Sequence, residues 1–189
     1  MKRPRLVPLV VPWEVSPSTP FLRLHVEECG DPIRVSLVAH FALYDGPNDV
    51  HDGRSVEIVI PPDESLEEQG EKVGPYQLVV VSFKSGVAAK WLPAYSDDDA
   101  INEKAYDQTA FSCPYREGDD PHEWMQRFQE HWMSTGFCPD PGLYEVQESQ
   151  WREEVGAAGK HYLIRGHDAY LEILADDWSW ESKRVLRDW

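Results

Sequence analysis

The chain has 189 residues, 41% hydrophobic and 12% aromatic with 8 tryptophans, a composition too apolar for disorder and long enough to bury about 70% of its extended-chain surface. Against 18 Lys and Arg stand 34 Asp and Glu, a net charge of -16, which repels nucleic acid and anionic membrane surfaces. Cys29, Cys113 and Cys138 form no CxxC pair, so neither a zinc ribbon nor a disulfide framework is expected and reduced thiols in a cytoplasmic protein fit best.

The N-terminus opens with positive residues, but its apolar stretch 6–11 is interrupted by Pro8 and ended by Pro12. That is too short and too broken for a signal peptide, and no run reaches the length of a membrane span. Strands follow. Leu22, Leu24 and Val26 alternate with polar residues, and Ile33, Val35, Leu37, Ala39, Phe41 and Leu43 keep a period of two, so the two segments are expected to pair as an antiparallel hairpin through residues 29–32. A further strand is expected at 56–60, an acidic solvated loop at 61–71, a central strand at 76–83 with apolar residues on both faces, and a strand at 87–92.

From about residue 97 the composition shifts: residues 97–189 hold 21 acidic and 9 basic side chains, net -12. A helix over about 120–135 is sharply punctuated, with Asp120 suited to the N-cap, Pro121 to the first turn, Glu123 to a capping box and Gly136 to the end. Trp124, Phe128 and Trp132 recur every four residues and lay an aromatic stripe on the sheet. A strand at 143–146, a short helical turn at 148–155 and a hairpin of 161–165 with 169–174 around a tip at 166–168 complete the expected elements. Trp178 and Trp180 then alternate with Ser179 and Glu181 in a terminal strand. The fold class read from this order is α+β: an antiparallel sheet or sandwich-like N-terminal half, one main helix, and a C-terminal β-hairpin region packed on it. One domain spans 1–189, with a possible division into a β-rich 1–95 and an acidic 96–189.

The residue types for chemistry are few and scattered. His122 and His131 lie nine residues apart on the helix, roughly 180° around it, and cannot chelate one ion. His161, His167, Asp168 and Cys138 match no metal-ligand spacing, so no metal and no cofactor is implied. Cys138, His167 and Asp168 supply the types of a nucleophile, a base and an orienting acid, and Glu145, Glu148 and Glu172 the carboxylates for acid–base work, but no catalytic motif accompanies them. They define one alternative, a small hydrolase.

Acid beside tryptophan is the remaining pattern. Four acidic clusters lie at 97–99, 119–120, 153–154 and 176–177, and the last runs into Trp178, Trp180 and Glu181. Carboxylates steer a basic protein and partly exposed indoles anchor it. The profile is similar to that of bacterial toxin-neutralising immunity proteins as a class. The resemblance implies a protein-binding module that occludes a basic partner, such as a toxin or nuclease, through Asp176, Asp177, Trp178, Trp180 and Glu181. A self-assembling structural subunit is the other alternative.

Overall fold

Strand-forming alternation dominates the residues that the computed structural model describes, which are 3–17, 21–26, 31–41, 76–86, 88–93, 106–167 and 169–185. The expected strand at 56–60, the acidic loop at 61–71, Cys29, the 97–99 cluster and Asp168 lie outside them.

The described residues form two antiparallel sheets, one main helix and one short helix, an α+β arrangement. The first sheet runs β1 (Arg5–Pro8), β7 (Leu143–Gln147), β8 (Lys160–Arg165), β9 (Ala169–Ala175), β6 (Ala88–Pro93). The second runs β10 (Asp177–Val185), β5 (Tyr76–Lys84), β4 (Ile33–Phe41), β2 (Trp13–Val15), with β3 (Leu22–His25) also on β4. Both sheets therefore draw strands from both halves of the chain.

The period of two decides which face each strand buries. Val35, Leu37 and Ala39 of β4 and Val79, Val81 and Phe83 of β5 face Leu143, Tyr162, Ile164, Leu171 and Ile173 of the other sheet in one shared core, all at 1% exposure or less. Burying an aliphatic or aromatic side chain contributes about 1.5 to 3 kcal/mol, so this layer is the main support of the fold. The first sheet buries its outer face as well: Leu6, Phe111, Tyr144, Val146 and Leu163 cluster there, Phe111 stacked on Tyr144 at 5.4 Å.

Two strands at the N-terminus have no counterpart in the sequence expectations. Pro8 and Pro12 interrupt the alternation, yet β1 pairs β7 and β2 pairs β4, so one short segment contributes an edge to each sheet. Pro8 is tolerated because an edge strand needs only half of its backbone donors.

Helix α1 (Pro121–Thr135) has the anticipated ends: Asp120 accepts from the His122 and Glu123 amides, and Gly136 closes the helix at φ 73°. The aromatic stripe does not lie flat on a sheet. Phe128 and Trp132 close on Cys138, with Trp124 and Cys113 beside them, while Trp132 also meets His40 of β4 edge-on at 5.9 Å. The helix thus packs on the segments at 113 and 138 and on the end of β4, while the first sheet's faces are covered by the shared core and the Phe111 cluster. Helix α2 (Gln150–Val155) is capped by Ser149. Among the described residues no helix is long and apolar enough to cross a membrane.

Candidate functional site

Two surfaces hold chemistry-bearing side chains within reach of a partner or ligand: the β10 edge and a cleft beside α1. On β10, Trp178 stands opposite Phe83 and Trp180 opposite Val81, whereas Asp177, Ser179 and Glu181 stand opposite Lys84, Ser82 and Val80. Cross-strand neighbours share a face, so both indoles point inward. They are half-buried against the main core, with Trp180 edge-on to Trp13 at 5.6 Å. They keep the partial exposure that the sequence suggests, but on the core side of the strand.

The carboxylates take the opposite face, with Asp177 65% and Glu181 56% exposed, and Asp176 is exposed beside them. Asp177 lies 3.9 Å from Lys84, and Glu181 pairs with Lys183. Exposed pairs of this kind contribute about 0 to 1 kcal/mol, so these carboxylates can be given up to a partner. β10 ends the sheet order: among the described residues it pairs only with β5, in regular register over 177–182.

The cleft encloses about 710 Å³ between α1 and the strand ends. Trp124, Phe128 and Trp132 form one wall, their successive centroids 5.3 and 5.8 Å apart. Both indole N–H groups are satisfied, Trp124 donating to the Cys113 carbonyl and Trp132 to the Pro12 carbonyl, each at 3.2 Å. The facing wall carries Glu14 3.5 Å from His40, and Asp140 bonded to Arg165 at 2.8 Å. Asp140 also accepts from the Tyr144 hydroxyl, which burial, reinforced by that carboxylate, holds well above the ordinary tyrosine range. Gly142, at φ 70°, turns the chain from Asp140 into β7; a Cβ there would lie 3.0 Å from Val15 and 3.1 Å from the Arg165 carbonyl. Asp140 is thus matched by Arg165 within the wall, whereas the buried His40 Nδ1 has no hydrogen-bond partner among the described residues, and Met125 and Met133 stand exposed at the cleft's lip.

His167 lines this cleft, but Cys138 does not; it borders a separate cavity of about 270 Å³ together with His131. Burial, then the Glu14 carboxylate, pushes the Cys138 thiol far above its ordinary range. A thiolate nucleophile needs the opposite shift. The three acid–base candidates do not converge. Glu145 shares a face with Tyr162 and bonds Lys160 at 2.9 Å, Glu148 is exposed, and Glu172 shares the other face with Leu163.

Glu172 belongs instead to a polar line that sequence spacing does not reveal. Ser149 Oγ lies 2.7 Å from His161 Nδ1, His161 Nε2 lies 3.7 Å from Glu172 Oε2, and Lys90 Nζ lies 3.6 Å from that same oxygen and 3.7 Å above the Trp151 ring. These are the residue types of a serine–histidine–acid relay. Ser149 is only 2% exposed and its oxygen already accepts from the Arg152 amide, so no substrate reaches it; the line fastens α2 to the sheet. Burial first, then Lys90 and Arg152, lowers the His161 pKa to about 4. Among the described residues no group of three or more His, Cys, Asp and Glu is placed to hold a metal ion. No family model, curated protein or solved structure matches the chain.

Proposed function

We propose that this chain is an acidic binding module that occludes a basic protein partner, as immunity proteins do, and that the partner meets it at the β10 edge. The observation that carries this reading is the exposed pair Asp177 and Glu181 on a strand that ends its sheet among the described residues, with Asp176 exposed in the bend just before it, in a chain of net charge -16. A field of one sign raises the rate of encounter with a partner of the other sign and rejects like-charged competitors. The cleft is the weaker docking candidate for a basic partner, because Asp140 is already taken by Arg165 and Glu14 stands beside His40.

The half-buried indoles change the division of labour. Trp178 and Trp180 brace the strand from beneath, so that the carboxylates above them are held in a fixed row. Asp177→Lys should slow association of a labelled lysine-rich polypeptide several-fold at low salt and flatten its salt dependence. An association rate that ignores Asp177→Lys at every salt concentration removes the reading.

A second reading rests on the cleft's volume, which falls within the range of small-molecule sites, and on its exposed methionines, which adapt to varied apolar shapes. In that case an environment-sensitive apolar dye binds the native protein and is lost in Met133→Glu. The hydrolase reading loses its nucleophile if Cys138 stays unalkylated by iodoacetamide in the folded protein, the outcome that its burial leads one to expect.

A further inference from the structure

We infer that β10 binds its partner by strand addition, and that the segment it takes up carries basic, apolar, small or polar, apolar and basic residues in that order. The inference rests on the basic-partner reading and adds the mode of docking and the sequence that fits it. Over 177–182 the strand is regular, and the residue inserted between Ser182 and Arg184 shifts the register before pairing resumes at Arg184 and Val185. That leaves six positions, 177–182, for an added strand to pair with before the register shifts, of which 177–181 carry the alternation.

The pleat then sorts what each position faces. On the outer face Asp177 and Glu181, both more than half exposed, flank the small Ser179. Residues opposite the two acids, four apart on the incoming strand, complete ion pairs when they are Lys or Arg. On the inner face the half-buried flanks of Trp178 and Trp180 border the core, so the two residues opposite them bury apolar area when they are Val, Ile or Leu. Because the order is symmetric, it reads the same in parallel and antiparallel docking. Main-chain hydrogen bonds to the side of β10 that is unpaired among the described residues supply affinity common to any strand, and the alternation supplies selectivity. A second copy of this chain is a poor occupant, since it brings Asp177 and Glu181 of its own and a net charge of -16 to the same edge.

The test compares four capped peptides at low salt: one with the core Lys-Val-Thr-Val-Lys, one with the same composition reordered as Val-Lys-Thr-Lys-Val, and the first with its backbone amides N-methylated in each of the two alternate patterns. Tryptophan fluorescence gives affinity, and hydrogen exchange of the β10 amides reports strand pairing. The expected result is at least tenfold tighter binding of the first peptide than of the reordered one, with slowed exchange across 177–182. Asp177→Asn with Glu181→Gln should weaken it about tenfold, and N-methylation in one of the two alternate patterns should abolish it, because it removes the ladder donors. Equal affinity for both orders, or unchanged binding with both N-methylation patterns, overturns strand addition while leaving a charge-driven binder in place. Failure of the lysine-rich polypeptide as well as of all four peptides to bind overturns both.

Discussion

At the scale of single residues the sharpest consequence concerns His161, which is 4% exposed with its pKa lowered from 6.5 to about 4. The Ser149 hydroxyl oxygen accepts the Arg152 amide, which leaves its hydrogen to donate to Nδ1 and puts the ring's own hydrogen on Nε2, turned toward Glu172. Lys90 already engages that carboxylate, so Glu172 does not reverse the downward shift. As pH falls past 6.5 the unfolded chain takes up a proton on this histidine while the folded protein refuses it until about 4. Stability is therefore full above pH 6.5 and declines toward pH 4, by about 3 kcal/mol from this group. Urea denaturation of wild type and His161→Gln across that window should show a steeper fall for wild type; parallel curves would refute the assignment. Asp120→Ala, which removes the acceptor for two α1 amides, should cost about 1 kcal/mol in the same assay. Asp120 was legible from its neighbours Pro121 and Glu123. The Ser149–His161–Glu172 line was not, because its members lie on α2's cap, β8 and β9, and only the pairing of β8 with β9 brings them together.

At the scale of elements, alternation was a reliable guide wherever a strand has one buried face. β4 buries Ile33, Val35, Leu37 and Ala39 as their period requires, and β5 lies in mid-sheet, as apolar residues on both faces demand. What alternation does not state is which sheet a strand joins. β6 leaves β5 for the opposite sheet, β1 and β2 are masked by prolines, and Trp178 and Trp180 show a period of two without showing which side is core. A period-four aromatic stripe likewise announces that α1 buries a face without naming the receiver. That receiver is the Cys113 and Cys138 segments together with His40. Because Trp132 is 2% exposed and ties the helix to the Pro12 carbonyl, Trp132→Ala should cost about 3 to 5 kcal/mol, read as a lower urea midpoint. A loss below 1 kcal/mol would mean that α1 is not a packed part of the fold. The mixed composition of the cleft follows from the same geometry: α1 contributes its aromatic stripe, methionines and Gln129, and the strand ends and the turn at Asp140 contribute the polar pairs.

For the whole molecule, one quantity visible in the sequence has two opposite effects. A net charge of -16 places carboxylates close enough for mutual repulsion in the folded state, and this repulsion relaxes when the chain expands. Salt screens it, with a Debye length of about 30 Å at 0.01 M and about 8 Å at 0.15 M. Raising salt over that range should therefore stabilise the isolated protein, since the few exposed ion pairs it weakens, such as Lys84 with Asp177 at 3.9 Å, contribute little. A complex with a basic partner draws on the same charges with the reverse sign, so the same salt step should weaken it, chiefly by slowing association. Thermal unfolding of the free protein and association kinetics with a lysine-rich polypeptide, measured in matched buffers, should thus move in opposite directions. If the melting temperature falls with salt, local ion pairs outweigh the global field; if association does not slow, the field does not steer, and the placement of the acids on the β10 edge has no functional consequence.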